Sequence, residues 1–223
     1  MSINSHTDTP DVTTSTTAET VDVIIPVHNG SGLVSRCIRS VISTRQREEF
    51  EILVIDDGST EPETIYFLND CQARGEIRLL RNERSLGFVS AVNRGMACHP
   101  DRNVVLLNSD TEVANDWLDR IRRCARADSK IGTVTPFSNN ATICSFPRLC
   151  FDNPLPEGVT LDELDKIFSE VNGGEWIPIP TAVGFCMYIS RECLNEVGLF
   201  DEQRFGRGYG EENDFCQRAL KRG

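Results

Sequence analysis

Four short polar clusters carry residue types that can do chemistry. His28-Asn29, Asp56-Asp57 and Asn108-Ser109-Asp110 each close an apolar run, and Glu211-Glu212-Asn213-Asp214 opens a C-terminal helical pattern. Carboxylates so placed can accept from the ring N–H of a nucleotide base. They can hold a divalent cation against a diphosphate, or take a proton from a hydroxyl nucleophile. The glycine-rich phosphate cradles GxxxxGKS and GxGxxG are absent, so a diphosphate would need a cation held by a carboxylate such as Asp110. Each cluster also has a plainer reading. Asp56 and Asp57 can cap a turn, and Asp110 can cap a helix. The acids at 211, 212 and 214 suit the positive end of a helix dipole. They cannot all share one helix face, however, so at least one should turn back toward the strand ends if Gly206 to Gly210 forms the approach loop. No serine or cysteine has the neighbours of an activated nucleophile.

The elements that must position these clusters alternate. Strands are expected at Val21–Val27, Glu51–Ile55, Ile77–Leu80, Val104–Leu107, Ile131–Thr135 and Ala182–Ile189, where short runs rich in β-branched residues meet turn signals. Helices are expected at Ser31–Ser43, from Pro62 through Ile65, Tyr66 and Leu68, at Ser85–Ala97, from Asp116 through Ile121, near Leu161–Val171 and at Glu211–Leu220. Prolines 136, 147, 154, 156, 178 and 180 break the stretch between. Such alternation predicts an α/β fold with a mainly parallel, Rossmann-like sheet and helices on both faces, with ligands bound at the carboxyl ends of the strands.

Composition narrows the classes. With 23 basic and 34 acidic side chains the chain carries −11, which argues against a general nucleic-acid binder or electrostatic docking on an anionic membrane. Residues 1–20 are half serine or threonine with hardly a large apolar side chain, so they read as a disordered leader before a single domain at 21–223. The chain stops soon after its last helix begins, as a piece of a longer protein would. The nine scattered cysteines suggest neither a disulfide framework nor a zinc site, but buried apolar packing in a reducing compartment. No secretory signal or membrane span is visible, so the expected location is the cytoplasm.

In order along the chain stand VDVIIPVHNG, ILVIDDGST, NERSLGFVSAVNRG, VVLLNSD, GFCMYISRECLNEVGLFDE and GYGEENDFCQRA. Together they resemble the family 2 glycosyltransferases, inverting enzymes of the GT-A fold, in the style of those that build O-antigen and other bacterial surface polysaccharides. The resemblance runs from Val21 to the C-terminus. It implies that Pro26, Val27, His28 and Asn29 line a base pocket, and that Asp57 or Asp56 accepts from a pyrimidine N–H. It implies that Asn82, Gly87 and Asn93 flank the nucleotide; Val92 stands where the family often has arginine. Asn108, Ser109 and Asp110 occupy the place of the DxD motif, with Asp110 the ligand to Mn²⁺ or Mg²⁺. Glu212 occupies the place of the catalytic aspartate, and the choice of base stays open among Glu212, Glu211 and Asp214.

The implied partners are a UDP- or dTDP-linked sugar donor and a glycan or lipid-linked acceptor, with no nucleic acid. A lipid-linked acceptor would bring the protein to the inner face of a membrane as a peripheral protein. Phe137 to Asn140 would border the donor sugar, and Trp176 would stack on an acceptor sugar. Two other readings compete. A nucleotidyltransferase also sets acids beside a nucleotide, but lacks support in a glycine-rich lysine loop. A non-catalytic module that binds nucleotide-sugar or glycan is compatible with the altered NSD and EEN motifs.

Overall fold

The computed structural model describes residues 20–223. The leader expected at 1–20 therefore lies, Thr20 apart, outside the described residues. The elements run β1 (Val21–Val27), α1 (Ser31–Ser43), β2 (Phe50–Asp56), α2 (Pro62–Ala73), β3 (Arg78–Arg81), α3 (Phe88–Met96), β4 (Asn103–Leu107), α4 (Trp117–Ala125), β5 (Thr133–Val134), α5 (Leu161–Val171), β6 (Cys186–Ile189), α6 (Arg191–Val197), α7 (Glu202–Phe205) and α8 (Glu211–Leu220).

One six-stranded sheet has the order β3-β2-β1-β4-β6-β5. Strands β3, β2, β1 and β4 are parallel, whereas β6 runs antiparallel to both β4 and β5. Helices cover both faces, so β1 and β4 are apolar almost without interruption. Alternate β1 residues serve opposite cores. Val23, Ile25 and Val27 pack with Val34, Ile38, Leu68 and Leu118, and Ile24 packs with Val89, Met96, Leu194 and Phe215. The chain leaves β1 for β2 on one side and reaches β4 on the other. The crevice between β1 and β4 is thus a topological switch point, where open α/β sheets bind ligands.

The expected mainly parallel α/β sheet is present, with four local differences. The strands foreseen at 131–135 and 182–189 shrink to β5 and β6, because the backbone beyond them turns into the irregular segment between them. The helix foreseen from Ser85 starts at Phe88, since Ser85, Leu86 and Gly87 are bonded to Asp57. In α2 the buried positions are Thr64, Leu68 and Cys71, while Tyr66 faces solvent. Helices α6 and α7 were not foreseen; each is a short piece started by a side-chain cap, Ser190 and Asp201 respectively.

Residues 135–185 leave the sheet at the end of β5 and return at the start of β6, on the edge where β1, β2 and β4 end. They hold one 3₁₀ turn (Thr142–Cys144) and α5, which opens with a Thr160–Glu163 capping box. Buried Asn153 ties this segment together by donating to the carbonyls of Asn139, Arg148 and Phe151. All nine cysteines are unpaired thiols; five are buried and Cys150 is exposed. Burial, with the nearby Asp110 charge, pushes Cys37 up to about 12, and burial does the same for Cys186, so neither supplies a thiolate nucleophile.

Candidate functional site

The ends of β1 and β2 form one side of the site. Asp56 is buried and accepts from the Ser59 amide at 2.9 Å and from Arg81 Nε at 2.8 Å. Asp57 is buried too, and accepts from Asn82 Nδ2 (2.7 Å), Ser85 Oγ (2.9 Å) and the amides of Leu86 and Gly87 (2.9 Å each). Burial pushes its carboxyl up, but these donors outweigh that and hold it below the ordinary aspartate value. Gly58 has φ +70° and lies against the Arg84–Ser85 backbone, where a Cβ would come within 2.6 Å. That is why the Asp-Asp pair is followed by glycine. Asn29, at φ 59°, accepts from the amides of Thr60 and Glu61, and its own amide donates to Ser59 Oγ.

The other residues foreseen at the nucleotide sit around this cradle. Val27 is buried, Pro26 is partly exposed, and the exposed His28 lies with Nδ1 2.8 Å from the Asp57 carbonyl. Asn82 also accepts from Arg94, whose guanidinium donates to the Arg81 carbonyl at 2.7 Å. Sequence reading missed Arg94; the signal was an arginine directly after Asn93 in α3. Gly87 lies against the Arg207 backbone. Asn93 is buried, donates to the Phe200 carbonyl and accepts from the Phe200 amide, fixing the approach to α7.

The turn after β4 forms the other side. It is fixed through its backbone: the Asn108 amide donates to the Phe185 carbonyl at 2.9 Å, and Thr111 N donates to the Asn108 carbonyl at 3.0 Å. Among the described residues, the side chains of Asn108, Ser109 and Asp110 have no hydrogen-bond partner, and Asp110 is exposed. Next to Phe185 is Gly184. A Cβ on Gly184 would stand 1.9 Å from Glu212 Oε1, so the Glu212 carboxylate occupies the space that glycine leaves. Thr181 Oγ1 donates to Asn213 Oδ1 at 2.7 Å, and the Ala182 amide donates to Cys216 Sγ at 3.3 Å. The segment 181–185, just before β6, thereby ties α8 to the Asn108–Asp110 turn.

The three candidate bases differ. Asp214 is ion-paired with Arg218 at 2.7 Å and Arg204 at 3.4 Å. Glu211 is 3% exposed, and its Oε2 has no hydrogen-bond partner among the described residues. Burial pushes Glu211 up to about 7 against its own backbone amide, and the charge and hydrogen bond of Glu212 add to the rise. Burial also raises Glu212, while its own amide and the bond from Glu211 pull it down. Trp176 is 43% exposed, in a run 171–180 that is exposed throughout. No hydrogen bond or ring contact joins it to either side of the site among the described residues.

A separate acidic group lies at the opposite pole. Asp22, Glu51 and His99 bring ligand atoms within 4.8 Å of one another. Arg102 already donates to Asp22 at 3.0 Å and to Glu51 at 2.7 Å, and Arg78 Nη1 lies 2.8 Å from His99 Nε2. Guanidinium groups supply the positive charge there, at the amino ends of β1 and β2 and far from the ligand crevice.

A sheet of this order, open at the β1–β4 crevice, has the GT-A arrangement, and comparison with known proteins agrees. The profile of "Glycosyl transferase family 2" matches residues 22–198, so the chain belongs to that family. It is similar to an uncharacterized glycosyltransferase of Haemophilus influenzae, with 27% identity over 45% of this chain and 31% of that protein. It is also similar to polypeptide N-acetylgalactosaminyltransferase 16 of Homo sapiens, with 24% identity over 89% of this chain and 37% of that protein. This chain thus spans well under half the length of these curated relatives.

Among solved structures, GalNAc-T7 with UDP, GalNAc and Mn²⁺ superposes with a TM-score of 0.68 at 21% identity, over 93% of this chain and 42% of that one. The mannosyltransferase PcManGT from Pyrobaculum calidifontis, in complex with GDP-Man and Mn²⁺, gives 0.60 at 18% identity over 92% and 52%. No helix among the described residues is long and apolar enough to cross a membrane.

Proposed function

We propose that this chain is the catalytic domain of an inverting hexosyltransferase. It would move a sugar from a UDP- or dTDP-linked donor to a hydroxyl of a glycan or lipid-linked acceptor, in surface polysaccharide assembly. The observation that carries the reading is the position of Glu212, pressed against Gly184 and tied through Phe185 to the Asn108–Asp110 turn. A carboxylate on one side of a donor and a ligand turn on the other is what single displacement needs.

In this mechanism the cradle around Asp57 presents its loops and the His28 ring to the base. The Asp57 carboxylate organises that cradle, since its oxygens are already bonded within the protein. Asp110 would hold Mn²⁺ or Mg²⁺, with the Asn108 amide oxygen beside it. The site fits, because these are hard oxygen donors without protein partners, and Mg²⁺ commonly takes only one or two carboxylates plus phosphate oxygens. Bound there, the ion supplies neutralising charge for a departing diphosphate. Glu212 accepts the acceptor hydroxyl proton as that oxygen attacks the anomeric carbon opposite the leaving group. The pairing of Asp214 with Arg218 and Arg204 favours Glu212 over it as the base. The acceptor approaches along residues 135–185, where Trp176, Ile177 and Ile179 are exposed.

The test is turnover of UDP-, dTDP- and GDP-sugars with water as the default acceptor, following the first-formed anomer of the freed sugar by proton NMR. An inverted anomer from a UDP- or dTDP-sugar is expected. A retained anomer overturns the mechanism. No turnover of any donor by folded protein, with nucleotide still bound, would replace the enzyme with a binding module.

A further inference from the structure

Among the described residues, Glu211 is the buried acid of the site that keeps a carboxyl oxygen without a hydrogen-bond partner. It is 3% exposed, and the unpartnered oxygen is Oε2. Its Oε1 faces Gly208, where a Cβ would stand 3.6 Å from the oxygen. The charged and titratable groups on the elements around it are otherwise engaged or distant in effect. On α8, Asp214 is paired with Arg204 of α7 and with Arg218. On α7, Glu202 accepts from Asn93, and on α3, Arg94 donates to Asn82 and the Arg81 carbonyl. On the approach loop, Arg207 and Tyr209 are exposed. Residues 181–184 bring no ionisable side chain. Of all these groups, Glu212 alone acts on Glu211, through its charge and a shared hydrogen bond.

Two adjacent carboxyl groups that share a hydrogen bond, one of them buried with an unpartnered oxygen, are not both ionised. A proton on Glu211 removes one of the two charges. It also provides a donor to the neighbouring carboxylate, which is left as the ionised member. The pair then titrates as a unit rather than as two independent acids.

We propose that Glu211 works as a neutral carboxylic acid whose proton holds the ionised Glu212 carboxylate in place: a positioning residue for the base, and not a second base. This rests on the assignment of Glu212 above. The proton taken from the acceptor hydroxyl would pass to Glu212, and the Glu211 proton would stay where it is. Ionising Glu211 would set two negative charges side by side and release the alignment.

The sign of the pH effect follows. A group protonated in the folded state, with its value raised from about 4.5 to about 7, contributes stability fully present below the unfolded value and lost as pH rises through the folded one. The experiment compares wild type, Glu211→Gln and Glu211→Ala across pH 4.5 to 8.5, by thermal unfolding and by donor turnover. The glutamine amide keeps a donor toward Glu212 but cannot ionise. Wild type should lose melting temperature and kcat together as pH rises through about 7. Glu211→Gln should flatten both alkaline limbs while keeping kcat within about tenfold, and Glu211→Ala should lose kcat by more than about a hundredfold. A Glu211→Gln profile with the wild-type alkaline limbs overturns the proposal, as does Glu211→Gln as inactive as Glu211→Ala in folded protein. If no variant turns over any donor but the stability limb still flattens in Glu211→Gln, the shared proton stands and the transferase reading fails.

Discussion

The two sides of the crevice contrast in how their polar side chains are used. At the ends of β1 and β2, Asn29, Asp56, Asp57 and Asn82 are bonded to protein partners on every side. At the end of β4 and the start of α8, Asn108, Ser109 and Asp110 have no side-chain partner among the described residues, and Glu211 keeps an oxygen bare in the interior. The first side is a cradle whose shape is set before any ligand arrives. The second holds its groups in place through backbone contacts and leaves their oxygens available. Side chains with satisfied hydrogen bonds position loops, whereas those left bare are available to bind an ion or move a proton.

The contrast is tested most severely by removing the bare acids. Asp110→Asn and Glu212→Gln should each lower turnover by about a thousandfold or more, while stability changes by no more than about 0.5 kcal/mol for the exposed Asp110. A loss of folding in Asp110→Asn would place that residue with the cradle instead. The reverse pattern is expected at Asp57. Asp57→Ala strands four donors and should cost about 3 kcal/mol, read as a shifted denaturant midpoint.

The two sides should also answer pH in opposite senses. Asp57 is held below its ordinary value, so its stabilisation is present above the unfolded aspartate value near 3.8 and is lost as pH falls through the folded one. Asp57→Asn should therefore shrink the acid-side loss of stability, whereas Glu211→Gln shrinks the loss on the alkaline side. A smaller effect is expected at Gly184. The Cβ of Gly184→Ala must displace the Glu212 carboxylate, so kcat should fall about ten- to a hundredfold with donor affinity intact. Smallest is Trp176→Ala, which should raise acceptor KM a few-fold and leave donor binding alone.

Much of the cradle was legible in the sequence. Val21–Val27 and the Asp-Asp-Gly-Ser turn are local signals, and β1 with its α1 partner followed the expected spans. The gathering of the polar clusters at one edge of the sheet was also readable, because alternation of strand and helix sends the strand ends there. The side-chain partners were not legible. Whether Asp57 faces a ligand or the amides of Leu86 and Gly87 depends on a loop nearly thirty residues away, and no local pattern encodes that. Nor does spacing reveal that Gly184 leaves room for Glu212, or that Asp214 is taken by Arg204 and Arg218. Asn93 shows the same limit: its place in a motif was readable, but its bond to the Phe200 backbone, 107 residues on, was not.

The central claim is that Asp110 and a cation, rather than the carboxylates of the cradle, meet the donor diphosphate. The direct test is calorimetric titration of UDP, dTDP and GDP into wild type and Asp110→Asn, each with Mn²⁺, Mg²⁺ or chelator. Wild type should bind UDP or dTDP only with metal present, and Asp110→Asn should lose that binding while staying folded. Equal affinity with chelator, or in Asp110→Asn, would contradict the account.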